Sequence, residues 1–303
     1  MTSITVLGGG NSTEREISLK SARSVELALK KSGYVVTSID ITEFSSVDRI
    51  DPMSIVFPIL HGANGEDGKI QLLLEKGGYA FLGSDSKSSR NCFNKTITKS
   101  ILKKGGIPVA EGDEVTKDEY WMHYLRHKPH VLKTDEGGSS IGTYIVANPA
   151  KVDKEKVDVV YRFGQKAIIE ELIVGVEVTV PVLDFTALPV IEIVPPINED
   201  FNYDNKYNGR TSEICPTTGI SKLLQKNAQG IAEAVHKLMG CRHLSRVDMI
   251  IKPDGNIIVL EINTIPGMTN QSLYPLGAKV YGLDFQSLMT EFVNLVKRDY
   301  QLV

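Results

Sequence analysis

One stretch of the chain decides both its fold and its chemistry: Arg246-Val-Asp-Met-Ile-Ile-Lys-Pro-Asp-Gly-Asn-Ile-Ile-Val-Leu-Glu-Ile-Asn263. Two apolar segments flank a Pro-Asp-Gly-Asn turn, and this arrangement is a strong signal of a β-hairpin. We take Asp254 and Gly255 as the two turn residues and pair the strands outward from them. The facing pairs are then Asp248 with Glu261, and Arg246 with Asn263.

These four polar side chains lie on one face of the predicted hairpin, because side chains alternate with a period of two along a strand. The opposite face is apolar and carries Val247, Met249, Leu260 and Ile262. Two facing carboxylates repel each other unless a cation lies between them, and carboxylate and amide oxygens are the ligands that Mg²⁺ prefers. A surface cluster of ion pairs around Arg246 explains the same residue types equally well.

A glycine-rich segment, Lys133 to Gly142, follows another predicted strand. Successive backbone N–H groups of small residues can wrap the oxygens of a phosphate, and Lys133 adds positive charge for the same anion. The segment is not a Walker loop, since the chain contains no G-x-x-x-x-G-K-[ST] pattern. Taken alone, an ordinary flexible turn is the simpler interpretation.

A second glycine-rich segment, Gly8 to Glu16, follows the first predicted strand. It has Thr13 where a dinucleotide-binding fingerprint needs its third glycine, so that interpretation is weak. Ser12 or Thr13 can cap the following helix, and Glu14 or Glu16 can complete the capping arrangement.

A third segment, His61 to Gly68, also closes a predicted strand. His61 is either a ligand contact or a buried imidazole whose nitrogens have hydrogen-bond partners. Its residue types alone do not choose between these two roles.

The order of elements predicts an α/β protein with a parallel sheet followed by antiparallel sheets. The N-terminal third alternates strands at 4–7, 34–39 and 55–60 with helices at 16–31, 68–76 and 96–104. In the first helix, the predicted buried stripe is Ile17, Leu19, Val25, Leu27 and Leu29. Residues 85–95 are expected to be a crossing segment. Beyond residue 128, short strands at 131–133, 167–172, 176–183 and 188–194 and a helix at 223–238 precede the hairpin.

Length and composition narrow the class of protein. A chain of 303 residues is long for one core and indicates two or three domains. Basic and acidic residues nearly cancel, 34 against 37, so nucleic acid and anionic membranes are not the expected partners. The apolar runs are short, the three cysteines are widely spaced, and the first residues do not read as a signal peptide. We expect a cytoplasmic enzyme.

Five motifs together resemble the D-alanine–D-alanine ligases of the ATP-grasp superfamily. They are Glu14-Arg-Glu-Ile-Ser-Leu19, His61 to Gly68, Gly138-Ser-Ser-Ile-Gly142, Arg246-Val-Asp248 and Glu261-Ile-Asn-Thr-Ile-Pro-Gly-Met-Thr-x-x-Ser-Leu273. The resemblance covers nearly the whole chain and implies three domains, with ATP held between two antiparallel sheets. The expected ranges are an N-terminal substrate-binding domain at 1–92, a small ATP-grasp domain at 93–173 and a catalytic domain at 174–303.

The resemblance also assigns residues to ATP and metal. Phosphate contacts are implied for Lys95, Lys133, Ser139 and Lys206. Adenine contacts are implied for Glu170, Glu171 and Ile173, and a ribose contact for Glu177. Two Mg²⁺ or Mn²⁺ ions are implied at Asp248, Glu261 and Asn263, the residues that the hairpin pairing brings together. Three positions depart from the family pattern: Asn94 replaces a usual aspartate, Thr134 a proline and Gly137 a frequent acid.

For the substrates, the resemblance implies a site where all three domains meet. The ammonium of the first D-alanine would contact Glu14, which Ser139 and Tyr207 would link to a lid loop at 201–213. The oxyanion would be stabilised by Arg246 and the backbone N–H of Gly267. The remaining substrate contacts are implied for His61, Ser272 and Leu273.

The implied reaction is the ATP-dependent joining of two D-alanine molecules for peptidoglycan precursor synthesis, by a chain that forms a homodimer. Two alternatives are a related ligase that uses D-lactate or D-serine as acceptor, and a nucleotide-binding regulator without catalysis. Relatives that make the ester carry a histidine in the lid loop, whereas this chain has no histidine between His130 and His236. D-alanine is therefore the expected acceptor.

Overall fold

The computed structural model describes residues 2–42, 44–138, 142–196 and 210–302. The strands are β1 (Ser3–Gly8), β2 (Val35–Asp40), β3 (Ile55–Pro58), β4 (Gly112–Thr116), β5 (His130–Thr134), β6 (Thr143–Val146), β7 (Lys166–Glu171), β8 (Val176–Leu183), β9 (Thr186–Ala187), β10 (Ile191–Val194), β11 (Ser212–Ile214), β12 (Leu244–Ile251) and β13 (Ile257–Asn263). The helices are α1 (Arg15–Lys31), α2 (Lys69–Lys76), α3 (Ser86–Phe93), α4 (Lys95–Lys104), α5 (Lys117–Met122), α6 (Lys154–Val160), α7 (Lys222–Leu238), α8 (Leu273–Tyr281) and α9 (Phe285–Asp299). Short 3-10 turns occupy Phe44–Arg49, Tyr124–His127 and Pro149–Lys151.

The first three strands form a parallel sheet, as the alternation of strands and helices predicts, and their order in the sheet is β2-β1-β3. Parallel neighbours need a crossover connection, and α1 supplies the one between β1 and β2. The buried cluster at this sheet joins Ile4 and Val6 of β1 to Phe292 and Val296 of α9. The last helix of the chain therefore completes the core of its first sheet.

The buried face of α1 differs from the predicted stripe. Leu27 is exposed, and Ile17 and Leu19 are only half-buried. Val25 and Leu29 are buried as expected. The other buried positions are mostly small residues: Ser18, Ser21, Ala22 and Ala28. Small side chains leave room for close packing of the helix, so the buried face includes positions that the apolar pattern does not mark.

Residues 86–93, within the predicted crossing segment at 85–95, form the helix α3, which was not predicted from the sequence. Asp85 is the N-cap, and its side chain accepts a hydrogen bond from the backbone N–H of Ser88 at 2.7 Å. The serine-rich composition disfavours a helix by intrinsic propensity, and the cap with burial of Cys92 compensates for it.

The second sheet is antiparallel, with four strands in the order β4-β7-β5-β6. One face packs against α5 and α6 around Tyr120, Leu132 and Ile169. The other face carries Lys133 and Glu170, because Val131 pairs with Glu170 and Lys133 lies two residues further on the same side. This polar face is the one that bears on function.

The third sheet has the order β11-β10-β8-β12-β13, with the short β9 paired to β8, and its pairs are antiparallel. Its buried face packs against α7 through Val180, Val247 and Ala232. Thr179 and Pro181 of β8 lie opposite Asp248 and Arg246, and so share the other face with them. The predicted antiparallel sheets are confirmed.

The hairpin of β12 and β13 has the predicted facing pairs, but it reaches them by a different route. Near the turn, Met249 faces Val259 and Ile251 faces Ile257, which is one residue out of the predicted register. The turn is a three-residue connection closed by the bond from Lys252 N to Asn256 O at 2.8 Å. A β-bulge then restores the pairing of Asp248 with Glu261 and of Arg246 with Asn263.

The bulge also changes which residues enter the core. Val259 and Ile262 are both buried in the cluster against α7, although regular alternation would put them on opposite faces. Leu260, which the two-residue turn predicts for the apolar face, is only half-buried. The prediction for Leu260 was therefore wrong, because Leu260 is the extra residue of the bulge and Val259 faces Met249 in its place.

No helix in the described part of the chain is long and apolar enough to cross a membrane. The division into domains at 1–92, 93–173 and 174–303 stays a prediction.

Candidate active site

A polar cavity of about 880 Å³ lies where the three sheets come together. Its wall combines the start of α1, the ends of β3 and β13, the start of α4, the glycine-rich segment and the start of α8. The predicted site residues that line it are Glu14, His61, Lys95, Arg246, Glu261, Asn263, Gly267, Ser272 and Leu273. Residues separated by more than two hundred positions in the sequence thus share one compartment.

Glu14 occupies the N-cap position of α1, but its side chain makes no capping hydrogen bond. The side chain is buried between two glycines from different loops. A methyl group at Gly62 would come within 2.9 Å of Glu14 Oε2, and one at Gly138 within 3.1 Å. Capping as the role of this carboxylate is therefore wrong, and its oxygens lie at the cavity wall.

His61 is both buried and at the cavity wall. Nδ1 lies 3.1 Å from the carbonyl oxygen of Ile265, and Nε2 lies 3.2 Å from Ser21 Oγ. Burial lowers the pKa of His61 to about 4, so the ring is neutral near pH 7. The imidazole links α1 to the segment after β13. Because the ring is neutral, it contributes no positive charge to this part of the cavity.

A second carboxylate of this region, Glu66, belongs to the His61 to Gly68 motif but was not predicted as a site residue. Its Oε2 accepts a hydrogen bond from Gly62 N at 2.7 Å, and its side chain lines the cavity. Burial, with the negative charge of Glu14 nearby, raises the pKa of Glu66 to about 8. Lys20 and Glu213 also line the cavity without having been predicted.

At the hairpin, Arg246 holds Asp248 by two parallel hydrogen bonds. Arg246 Nε donates to Oδ1 at 2.9 Å and a terminal nitrogen donates to Oδ2 at 2.8 Å. Thr179 of the neighbouring strand donates a further hydrogen bond to Asp248 Oδ1. Asp248 is buried beneath the guanidinium, while Glu261 and Arg246 line the cavity itself.

The donor set at the hairpin suits a hard cation. In the residues that the structure describes, no group of three or more His, Cys, Asp or Glu side chains is gathered as a metal site. Asp248 and Glu261 instead face each other across the hairpin beside Asn263, whose Oδ1 accepts a hydrogen bond from Ile265 N at 2.9 Å. Two carboxylates and an amide oxygen fit Mg²⁺, which takes oxygen ligands and keeps several waters, and two of the three side chains, Glu261 and Asn263, line the cavity.

The segment after β13 forms the far wall of the cavity. Gly267 approaches Ser272 closely, since a methyl group at Gly267 would lie 3.0 Å from Ser272 Oγ. Ser272 precedes the first residue of α8, and its hydroxyl accepts a hydrogen bond from Thr269 N at 3.1 Å. The N-terminus of α8 therefore opens toward the cavity at Leu273, and helix N-termini favour anions.

A cluster of lysines lies beside the cavity. Lys95 is buried and donates to the carbonyl oxygen of Gly137 at 2.7 Å. Lys133 and Lys99 both pair with Glu170, at 2.8 and 2.5 Å. Burial alone would raise the pKa of Glu170, but Lys133 and Lys99 hold it below its usual value. Lys99 was not predicted as a site residue.

The other predicted ATP contacts do not line the cavity. Glu171 ends β7, Ile173 lies in the connection to the third sheet, and Glu177 lies in β8. These three residues therefore lie along the segment that connects the second sheet to the third sheet. Ser139, Lys206 and Tyr207 lie outside the described residues, as does most of the predicted lid, whose last residues Ser212 and Glu213 belong to β11.

Comparisons with known proteins agree with this architecture. A sequence model of the family described as D-ala D-ala ligase C-terminus matches residues 101–294. A D-alanine–D-alanine ligase of Methylacidiphilum infernorum is 39% identical, with 96% of this chain and 94% of that protein covered. One of Halalkalibacterium halodurans is 36% identical, with 96% and 98% covered.

Solved structures show the same similarity. A D-alanine–D-alanine ligase of Bacillus anthracis, crystallised with ATP, aligns with a TM-score of 0.86 at 29% identity and covers 99% of both chains. The VanG D-Ala:D-Ser ligase of Enterococcus faecalis aligns with a TM-score of 0.85 at 29% identity and covers 97% of this chain and 99% of that one.

A parallel α/β sheet followed by two antiparallel sheets, with a polar cavity where they meet, defines the ATP-grasp class of enzymes. Within this class, the chain belongs to the D-alanine–D-alanine ligase family.

Proposed function

We propose that this protein joins two D-alanine molecules into D-alanyl-D-alanine, with conversion of ATP to ADP and phosphate, for peptidoglycan precursor synthesis. The observation that carries the proposal is the single cavity that holds Glu14, Arg246 and Glu261 together. An amino acid brings an ammonium and a carboxylate, and the cavity offers a buried carboxylate and a guanidinium to meet them.

In the proposed first step, a carboxylate oxygen of the first D-alanine attacks the γ-phosphorus of ATP. The bond to the β-γ bridging oxygen breaks, and ADP leaves. Lys95 and Lys133, with the residues of the glycine-rich segment, would hold the phosphates and offset their charge. Glu14 would hold the ammonium and so orient the carboxylate toward ATP.

Asp248, Glu261 and Asn263 are the residues proposed to hold divalent metal. Mg²⁺ or Mn²⁺ bound there would neutralise charge on the phosphate oxygens of ATP during transfer. The paired hydrogen bonds from Arg246 hold the Asp248 carboxylate in a fixed orientation on this face.

In the proposed second step, the amine of the second D-alanine attacks the acyl carbon, phosphate leaves, and the amine loses a proton. Negative charge collects on the tetrahedral oxygen, where Arg246 and the backbone N–H of Gly267 would stabilise it, each by a few kcal/mol. The carboxylate of the second D-alanine would lie at Ser272 and Leu273, at the N-terminus of α8. His61 would help to shape the first subsite from its anchored position between α1 and Ile265.

Other parts of the proposal rest on the resemblance. The adenine and ribose would contact the chain at Glu170, Glu171, Ile173 and Glu177. Ser139, Lys206 and Tyr207 would contribute from the glycine-rich segment and the lid. The homodimer and the cytoplasmic location stay predictions.

A second candidate differs only in the acceptor. The similarity to the VanG D-Ala:D-Ser ligase supports D-serine as an alternative. D-lactate is less favoured, since it is an anion near pH 7 and the chain has no histidine between His130 and His236 to attract it.

The test is a reaction with ATP, Mg²⁺ and saturating D-alanine, in which phosphate release and products are both measured. We expect D-alanyl-D-alanine in an amount equal to the phosphate released. A second reaction, with equal concentrations of D-alanine, D-serine and D-lactate near pH 7, then identifies the acceptor. An excess of D-alanyl-D-serine or D-alanyl-D-lactate over D-alanyl-D-alanine would overturn the D-alanine assignment. ATP consumption without any ligated product would overturn the ligase itself.

A further inference from the structure

Glu170 divides its two carboxylate oxygens between two lysines from different elements. Oε1 lies 2.5 Å from Lys99 Nζ of α4, and Oε2 lies 2.8 Å from Lys133 Nζ of β5. All three side chains are largely shielded from water, with exposed fractions of 5% for Glu170, 13% for Lys99 and 11% for Lys133. A buried carboxylate shared in this way is an ordered arrangement rather than a surface ion pair.

The fold places the cluster beside the proposed phosphate site. Lys95 and Lys99 are four residues apart in α4 and therefore lie on the same face of the helix. Lys95 is bound to the glycine-rich segment at Gly137, one turn from Lys99. Lys133 and Glu170 occupy the face of the second sheet opposite to its apolar core. The ion pair between Lys99 and Glu170 thus connects α4 to the second sheet.

The charge balance gives Lys99 a role. If Glu170 faced only Lys133, the buried pair would have no net charge. Because Glu170 faces both Lys133 and Lys99, the three side chains together have a net positive charge. Glu170 held from both sides also keeps Lys133 Nζ in a fixed position.

We propose that Lys99 is a positioning residue for ATP: by holding one oxygen of Glu170, it keeps Lys133 in place and leaves the cluster of two lysines and one carboxylate with a net positive charge for a phosphate. The inference rests on the proposed function, in which Lys133 binds ATP. Lys99 itself does not touch the nucleotide in this scheme. Burial lowers the pKa of Lys99 and the charge of Glu170 opposes that change, which agrees with a charged lysine that depends on its partner.

The test begins with Lys99→Met, which keeps the length of the side chain and removes its charge. We expect the KM for ATP to rise about tenfold, the change that corresponds to 1.4 kcal/mol, with kcat and the KM for D-alanine within about twofold of wild type. Lys99→Arg keeps the charge and should restore most of the ATP affinity.

Lys103→Met is the matched control. Lys103 is in the same helix and pairs with Glu111 at 3.3 Å, but both partners are largely exposed. We expect unchanged kinetics for this variant. A rise in the KM for ATP as large as that of Lys99→Met would mean that any loss of charge in α4 has the same effect, and would overturn the proposal.

A double-mutant cycle with Glu170→Gln tests whether Lys99 acts through Glu170. In that background there is no carboxylate to hold, so Lys99→Met should change the dissociation constant of Mg·ATP by less than about twofold. An equal effect in both backgrounds would mean that Lys99 contacts ATP directly, and the positioning role would be wrong. The Glu170→Gln background also avoids a buried carboxylate with only one lysine, in case Lys99→Met alone fails to fold.

Equilibrium binding of Mg·ATP separates the two proposals. A wild-type protein that binds Mg·ATP but makes no dipeptide would overturn the proposed function and leave the role of Lys99 to be judged by the binding constants. A wild-type ligase whose ATP affinity is insensitive to Lys99→Met would overturn only the inference. A wild-type protein that does not bind Mg·ATP would overturn both.

Discussion

At the scale of single residues, Glu14 shows how the structure distinguishes two roles that the sequence leaves open. Its position before α1 suits a helix cap, yet the structure puts its carboxylate between Gly62 and Gly138 at the cavity. The two glycines let two loops approach the carboxylate, and side chains there would fill the space.

We expect Glu14→Gln to impair use of D-alanine much more than use of ATP. A neutral amide cannot match an ammonium, and loss of a charge-assisted hydrogen bond costs about 2 kcal/mol. Steady-state kinetics with each substrate varied in turn measure the effect. A variant that is less stable but kinetically normal would contradict the assignment, because it would show that the carboxylate has only a structural role.

Loss of either hairpin carboxylate should abolish turnover while the fold persists. Glu261→Gln and Asp248→Asn each remove an anionic oxygen ligand from the proposed metal site. Rate measurements across a range of Mg²⁺ concentrations, with circular dichroism for folding, check this expectation. Asp254→Asn is the control, since Asp254 is in the exposed turn of the same hairpin. Normal activity in the Glu261 or Asp248 variant would remove the metal assignment.

Asn94 is a departure from the family pattern that the structure explains. Its Oδ1 accepts a hydrogen bond from Ile97 N at 2.8 Å and caps α4, while its amide nitrogen donates to Asp135. An aspartate could cap the helix but could not donate, and it would face another carboxylate. The amide therefore ties the glycine-rich segment to the helix that carries Lys95 and Lys99.

At the scale of elements, the hairpin gives the right facing pairs from an incorrect turn. The sequence predicts its existence and its polar face because an apolar alternation flanks a Pro-Asp-Gly-Asn turn. It does not predict the bulge, since a bulge is set by how the strand packs on its neighbours. The three-residue turn shifts the register by one, and the bulge at Leu260 shifts it back before Glu261 is reached.

Replacement of glycine by alanine should have opposite effects on the free energy of unfolding at two positions, one in a helix and one in a turn. Gly230 lies inside α7 with no atom within 4 Å of an added Cβ, so Gly230→Ala should raise the free energy of unfolding by about 1 kcal/mol. Gly255 has φ +84° in the hairpin turn, so Gly255→Ala should lower it by about 1 kcal/mol. Urea unfolding measures both changes. Opposite signs are the essential outcome, and two changes of the same sign would contradict the backbone argument.

The helices show where sequence patterns fail. In α1 the apolar pattern predicts that Leu19 and Leu27 are buried, but serine and alanine at 18, 21, 22 and 28 form most of the buried face. In α3 the serines disfavour a helix, but Asp85 caps it. Both errors have one cause, because tertiary packing rewards small residues that carry little hydrophobic signal.

At the scale of the whole molecule, the sheets follow from the order of elements, whereas the cavity does not. His61 reaches Ile265 and Glu14 shares a cavity with Arg246, and no local pattern places these residues together. The resemblance supplies the link for the residues of its motifs. It does not supply Lys99 or Thr179, whose roles depend on contacts between neighbouring elements.

Four histidines in the described part of the chain are buried, and three of them have a pKa far enough below its usual value to make the stability of the molecule depend on pH. Burial lowers the pKa values of His61, His236 and His243 to about 4. In the unfolded chain they titrate near pH 6.5, so below that pH the unfolded state binds more protons than the native state. The free energy of unfolding should fall between pH 6.5 and 4, by up to about 1.4 kcal/mol per pH unit for each histidine.

Urea unfolding at pH 7, 6 and 5 measures this slope. His236→Asn should make it shallower, because the side chain that must charge on unfolding is gone. His127→Asn is the control, since His127 is exposed and should leave the slope unchanged. A slope that is identical in the wild type and the His236 variant would show that other groups dominate the acid response.

The cavity is large enough for water to compete with the second D-alanine for the acyl phosphate. At about 30 Å³ for each molecule in the liquid, a volume of about 880 Å³ corresponds to about 30 waters. An acyl phosphate formed there can react with the amine of a second D-alanine or with a water, and the branching ratio depends on which nucleophile is present. At saturating D-alanine we expect attack by the amine to predominate. As D-alanine becomes scarce, phosphate should exceed dipeptide, and the excess would be a measure of ATP spent without making a bond.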